Sequence, residues 1–292
     1  MNQLRRILVS SQCFKWAVCF EFEACDNIEQ SIRAIFSNFD MHTISSQAVP
    51  DEIVLLKILD KGNDNYVISV NGTHMFYPKN MESLQHWIYE ICFHHICLSV
   101  DNIVFLHGGA VRIPNTNRCI LFFAPTHGGK TTIVTEAVLN GYEYLSDDIL
   151  PIQVNSAMVY PFPKAAMIRD IDIFHDVSRL NVMGILKQDN GNIAKIASLF
   201  DPRTNVDAPY KIELCVFLHR DTSMLQEASI SDIQEGDKFS SILNNIRDPK
   251  KMRDNITVCS EIVRTTRFIR LTYSEMTDAI KCLNRWQSIG EA

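Results

Sequence analysis

The sequence predicts an α/β fold: a larger C-terminal domain, residues 79–292, following a smaller α+β module, residues 1–78. Three observations predict it. The run RCILFFA, Arg118 to Ala124, is short and rich in β-branched and aromatic residues, and reads as a buried strand. Lys130 to Asn140 sets Ile133, Ala137 and Val138 on one helical face, and Gly141 supplies a stop. Between them lies the glycine-containing loop PTHGG.

Composition bounds the rest. The chain has 292 residues, 46% hydrophobic and 21% charged, as expected of a globular protein with a substantial core. A formal net charge of −6 excludes a strongly basic surface, so nucleic acid is not the expected partner. At the start, MNQLRRILVSSQ, no positively charged segment followed by an apolar run appears, so a secretory signal is not expected. The most apolar region, ICFHHICLSVDNIVFLHGGAV, is interrupted by His94, His95, Asp101 and Asn102, too often to span a bilayer. The expectation is a soluble, cytoplasmic protein without a membrane partner. The nine cysteines include no C-x-x-C pair, and most sit in apolar runs, as reduced thiols do. Cys92, His94, His95 and Cys97 lie in a run that reads as helix rather than as a zinc knuckle.

In the N-terminal module, FKWAVCFEFE reads as a strand. DNIEQSIRAIFSNF reads as a helix capped by Asp26, with Ile28, Ile32, Ile35 and Phe36 as its apolar stripe. DEIVLLKIL and NYVISVNGTHMFYP read as strands, with Asn71-Gly72 as a hairpin turn. Met81 to Leu98 reads as a helix packed on the C-terminal core. The module carries no legible chemistry; recognition, dimerisation and scaffolding stay open.

The chemistry begins at IVFLHGGAVRI, two short apolar runs around His107, Gly108 and Gly109. A histidine at a strand end beside a phosphate loop could donate to a phosphate oxygen; alone, it would as readily be structural. Then comes the loop. Backbone N–H groups of His127, Gly128, Gly129 and Lys130 can turn inward around a phosphate at the positive end of the helix. Lys130 adds a full charge, and the Thr131 hydroxyl can ligate magnesium bridging the phosphates. Ala124 stands where such loops usually carry their first glycine. Next, GYEYLSDDILPIQ reads as strand, Asp147-Asp148, strand. Carboxylates one strand after a phosphate loop suit magnesium binding and proton abstraction. Adjacent residues of an extended chain point opposite ways, so the two divide these roles. Asp147 is expected at the acceptor and Asp148 at the metal.

These pieces together, LHGGAV, LFFAPTHGGKTT and YEYLSDDILP, resemble the HPr kinase/phosphorylase superfamily, and more closely its HPr-kinase-related branch. YPFPKAAMIRD resembles the branch's proline-rich strand, and TRFIRLTYSEMTDAIKCL its terminal strand and helix. The match covers 104–169 well and the C-terminal strand loosely. It implies a phosphate-loop kinase core like that of the HPr kinase C-terminal domain and phosphoenolpyruvate carboxykinase. It implies ATP or GTP as donor, magnesium as cofactor, and His107, Asp147 and Asp148 as catalytic residues. Thr126, His127, Gly128, Gly129, Lys130, Thr131 and Thr132 become the nucleotide-binding residues, and Thr131 with Asp148 the metal ligands. Ala124 and His127 replace glycines of the branch pattern. The E-I-R-G-L-G-I signature of HPr kinase itself is absent, so HPr as target and reverse phosphorolysis are not implied. The branch includes kinases of ribosomal peptide modification, among them lasso-peptide tailoring enzymes, which implies a serine of a peptide or protein as acceptor.

Beyond the loop, the polar segment Ile171 to Asn205, with KQDNGN at its centre, reads as a mobile loop over the acceptor site. YKIELCVFLHRDTS reads as a strand ending at Arg220, more simply a surface residue than a phosphate contact. Ser231 to Ile246 and Pro249 to Val263 read as helices. A nucleotide-binding module without turnover and a small-molecule kinase are the alternatives to the peptide kinase. The sequence leaves homo-oligomerisation open.

Overall fold

The computed structural model describes residues 4–11, 16–44, 53–125, 128–162, 164–169, 171, 173–174, 177–187, 193–199, 208–223, 227–248 and 250–290. By its internal contacts the chain forms two compact units. One contains residues 1–100, 167–173 and 180–198; the other contains 101–166, 174–179 and 199–292. This division differs from the boundary at 78/79 expected from sequence.

The first unit is built on a six-stranded sheet. Strands β1 (Leu4–Ser11) and β2 (Trp16–Glu23) pair antiparallel, with Leu4 opposite Glu23. Helix α1 (Asp26–Ile35) follows and buries Ile28, Ile32 and Ile35. Its N-cap is Cys25 rather than Asp26, because Asp26 is already helical and its carboxylate pairs with Arg5 at 3.1 Å. β3 (Asp40–Thr43) lies outside β1, and β4 (Val54–Asp60) runs parallel to β2. β5 (Tyr66–Val70) and β6 (His74–Phe76) complete the order β3-β1-β2-β4-β5-β6. Asn71 and Gly72 turn that last hairpin with φ of 49° and 73°, as a two-residue primed turn requires. Helix α2 (Met81–Ser99) starts at a capping box between Asn80 and Ser83. Its Phe93 ring lies 5.6 Å from Phe36 and 6.2 Å from Phe39. The helix expected on the C-terminal core therefore packs within the N-terminal unit, where those aromatic rings already form an apolar seat. Cys92, His94, His95 and Cys97 all lie on this helix.

The second unit opens with β7 (Ile103–Leu106) and β8 (Gly109–Arg112), then β9 (Arg118–Phe123). Helix α3 (Lys130–Leu139) leads to β10 (Glu143–Ser146), β11 (Leu150–Gln153) and β12 (Met158–Val159). The chain next makes a three-stranded sheet, β13 (Ala166–Ile168), β14 (Asn181–Lys187) and β15 (Ile193–Ser198), in the order β13-β15-β14. The segment read as a mobile loop over the acceptor site thus holds a hairpin, most of it in the first unit. KQDNGN at its centre, past Lys187, lies outside the described residues.

β16 (Tyr210–Arg220) is the spine of the second unit. It pairs parallel with β9 on one side and with β18 (Arg267–Tyr273) on the other, while β17 (Ser229–Asp232) edges β18. Helices α4 (Glu235–Leu243), α5 (Met252–Thr265) and α6 (Met276–Gly290) complete it. Leu121, Phe123, Cys215, Ile262 and Phe268 sit in its core. Parallel strands bring the carboxyl ends of β9, β16 and β18 to one edge of the sheet, the edge where open α/β sheets bind ligands. Among the described residues no helix is long and apolar enough to cross a membrane.

Candidate active site

The loop after β9 is built from close approaches. Gly129 is the N-cap of α3 with φ +85°, a conformation that favours glycine. A Cβ on Gly128 would stand 2.8 Å from the Ala124 methyl and 2.9 Å from the Pro125 carbonyl. The methyl at position 124 is therefore accommodated because residue 128 has none. Thr126 and His127, expected to bind nucleotide, lie outside the described residues. Lys130 is buried, and its ammonium donates to the Ala124 carbonyl at 2.8 Å and the Pro125 carbonyl at 3.4 Å. A positive charge thus sits inside the loop, at the positive end of α3. Thr132 lies in the first turn of the same helix.

The glycine pair after His107 seats the neighbouring elements. A Cβ on Gly108 would meet Leu150 Cδ1 at 2.6 Å, and one on Gly109 would meet Val134 Cγ2 at 2.6 Å. Helix α3 and strand β11 can close on this corner only because both positions are bare. That closure sets Thr131 against the end of β10.

There the two aspartates part. Asp147 is 2% exposed, and its carboxylate accepts the Thr131 hydroxyl, with oxygens at 3.0 and 3.2 Å. Among the described residues no cation stands within ion-pair distance of it. Burial pushes its carboxyl up, with a further push from Asp148, against the pull of Lys164, Thr131 and Lys130. Asp148 faces elsewhere. Its carboxylate meets His107 Nδ1 at 3.0 Å, Arg247 Nη2 at 3.2 Å and Lys164 Nζ at 3.5 Å. Burial would raise this carboxyl too, but Lys164, His107 and Arg247 outweigh it and hold it well below the ordinary aspartate range. Asp148 also has φ +74°, a strained conformation for a residue with a side chain. Its carbonyl accepts from Arg247 at 2.9 Å, which helps to hold that turn.

The expected metal pair, Thr131 with Asp148, is not the pair that comes together. Thr131 meets Asp147 instead, because the left-handed turn at Asp148 swings the second carboxylate toward His107. His107 does stand at the cluster; its Nδ1 donates to Asp148 when protonated and accepts from Arg247, 3.0 Å away, when not. Arg220 is exposed at the end of β16, with Nε 3.3 Å from the Ser274 carbonyl.

Two residues of the cluster escaped sequence reasoning. Lys164 is 1% exposed; its backbone is tied to β10 through the Tyr144 hydroxyl, 2.6 Å from the Lys164 carbonyl. The one signal was a lone basic residue inside the apolar run VYPFPKAAMI. Arg247 arrives through a short pairing with β7: His107 N–H donates to Asn245 O at 2.6 Å, and Arg247 N–H to Phe105 O at 2.9 Å. Nothing in NNIRDPK announces that role.

No family model matches the sequence, and no curated protein matches it. Among solved structures the chain is similar to the HPr(Ser) kinase/phosphatase from Coxiella burnetii. The likeness covers 64% of this chain and 99% of that one, at 9% identity and a TM-score of 0.32.

Proposed function

We propose that this protein is a magnesium- and nucleotide-dependent phosphotransferase acting on a hydroxyl group. The observation that carries the reading is the division of the aspartates: one carboxylate on the Thr131 hydroxyl at the start of α3, its neighbour held ionised by His107, Arg247 and Lys164. Environments that drive two adjacent acids apart assign them different tasks.

The residues fit the groups the reading requires. Gly128 lets the chain close on Ala124 and Pro125, Gly129 takes the left-handed turn that starts α3, and Lys130 brings a cation to that turn. The Asp147 carboxylate is buried with no cation within ion-pair distance among the described residues, the Lys164 ammonium reaching only its backbone carbonyl at 3.3 Å, and with the Thr131 hydroxyl it makes a hard oxygen pair of the kind magnesium takes. Magnesium, when bound there, supplies neutralisation of the charge on the phosphates. Lys130 and the positive end of α3 would hold the phosphates of the donor, ATP or GTP. Asp148 accepts the hydrogen bond of the acceptor hydroxyl and turns its oxygen toward phosphorus. The new O–P bond forms as the bond to the bridging oxygen breaks. The hydroxyl proton passes to the Asp148 carboxylate, and the nucleoside diphosphate leaves. A strongly ionised carboxylate is a weak base, but phosphoryl transfer asks more for positioning than for early deprotonation. His107 and Arg247 hold Asp148 in place, and the guanidinium adds positive charge beside the transferring group.

This proposal exchanges the roles expected from sequence: Asp147 serves the metal and Asp148 the acceptor. The resemblance of LHGGAV, LFFAPTHGGKTT and YEYLSDDILP to the HPr-kinase-related branch supports a serine of a peptide or protein, including a ribosomally made precursor, as acceptor. Incubation with labelled ATP, magnesium and serine-containing peptides tests the reading. Label should pass to a peptide, and Lys130→Ala should remove the transfer while leaving the fold intact. Binding of nucleotide without transfer to any acceptor would instead indicate a recognition module.

A further inference from the structure

Tyr273 is the last residue of β18, on the sheet edge that carries the phosphate loop. It is 0% exposed, and among the described residues its hydroxyl is buried without a hydrogen-bond partner. A buried hydroxyl in that condition is destabilising, and a phenylalanine would fill the same space without the penalty. The oxygen is aimed at the loop. A Cβ built on Gly129 would lie 2.8 Å from it and 3.5 Å from Met276 Cε. It therefore faces the residue that caps α3, at the positive end of that helix, where an anion is favoured. Arg220 adds a cation nearby, its Nε 3.3 Å from the Ser274 carbonyl. Burial pushes the Tyr273 phenol up to about 12, so the group keeps its proton and can donate.

We propose that Tyr273 is an additional residue of the phosphate site, its hydroxyl donating to an oxygen of the polyphosphate held at the start of α3. The proposal rests on the nucleotide reading and extends it to a residue that no loop motif contains. It accounts for an otherwise orphaned hydroxyl, whose missing partner is the ligand. It also adds a reason for glycine at position 129, since any side chain there would stand between the hydroxyl and the loop.

Tyr273→Phe is the test, because it removes one oxygen and keeps the ring. The affinity of the whole protein for magnesium with a non-hydrolysable ATP analogue, and for inorganic pyrophosphate, is measured by calorimetry beside Lys130→Ala. The expected result for Tyr273→Phe is affinity for both probes weakened about tenfold. The melting temperature of the ligand-free variant should equal or exceed that of the parent. That pair of results separates a ligand partner from a structural hydroxyl, whose loss lowers the melting temperature and spares the affinity. Unchanged affinity in Tyr273→Phe with lost affinity in Lys130→Ala overturns the proposal and leaves the nucleotide site standing. Absence of binding in the parent protein overturns both.

Discussion

Glu21 in the N-terminal sheet and Asp147, just past the end of β10, are both buried carboxylates, at 7% and 2% exposure. Their surroundings differ. Glu21 accepts from Arg6 Nε at 2.7 Å and pairs with Lys57 at 3.0 Å. Burial pushes its carboxyl up, but the two cations more than offset this and hold it below the usual glutamate value. The Asp147 carboxylate has one hydroxyl and, among the described residues, no cation within ion-pair distance, Lys164 reaching only the backbone carbonyl at 3.3 Å, and its carboxyl is pushed up. A carboxylate that stabilises the fold carries its counter-charges with it. One that lacks them is costly to the ligand-free protein and ready for a cation from outside.

The largest expected effects fall on activity. Asp147→Asn should weaken magnesium affinity by about 100-fold or more, since even indirect partners of metal ligands are worth about 10–100-fold. Transfer should fall with it. The same change should leave the ligand-free protein as stable as before or more so at neutral pH, because an amide still accepts from Thr131 and carries no buried charge. Asp148→Asn should lower the transfer rate by about 10²–10⁴-fold, the usual worth of a positioned acid–base group. Steady-state rates and thermal melts on the same samples check both.

Glu21→Gln should invert this pattern. It removes the charge that Arg6 and Lys57 share and should cost about 1–3 kcal/mol of stability, toward the low end because Lys57 is half exposed. Transfer should be untouched. A denaturant titration paired with an activity assay reads this, and a loss of activity at full folding would break the comparison.

Gly129→Ala should cost roughly 1–3 kcal/mol, from a Cβ at φ +85° and its close approach to the Tyr273 oxygen. Urea unfolding of the ligand-free protein measures it.

The smallest effects lie in the pH dependence of stability. Glu21 is lowered from its ordinary value of 4.5, so its contribution is complete above that pH and is lost as pH falls toward its folded value. Wild type and Glu21→Gln should therefore converge in acid. Asp147 is raised above 3.8, so its ionisation costs stability as pH climbs through the ordinary value to the folded one. Wild type and Asp147→Asn should also converge in acid, but with the variant the more stable at neutral pH. Melting temperatures from pH 3 to 8, on the order of a few degrees apart, show whether the two differences have opposite sign.

The sequence made the loop, the HGG corner and the aspartate pair legible because their chemistry is local. Phosphate cradles need small residues before a helix, and a strand–turn–strand carries its carboxylates in adjacent positions. It did not show which aspartate faces which partner. That depends on the left-handed turn at Asp148 and on Arg247, which arrives from 140 residues beyond His107 through the Leu106–Ile246 bridge. Strand β1 was hidden by Arg5 and Arg6, whose charges break its apolar pattern until Glu29 and Glu21 are in place to receive them. The hairpin of β14 and β15 was hidden by polar neighbours, since pairing decides such short strands more than propensity does. Lys164 looked like a surface charge because nothing nearby in the chain foretells the Asp148 carboxylate and the Asp147 carbonyl that receive it.

The division of labour between the aspartates is tested most directly by calorimetric titration of a non-hydrolysable ATP analogue into wild type, Asp147→Asn and Asp148→Asn, each with and without magnesium. Magnesium should strengthen binding to wild type and to Asp148→Asn and do little for Asp147→Asn. Magnesium enhancement kept in Asp147→Asn and lost in Asp148→Asn would contradict the assignment and return the metal to Asp148.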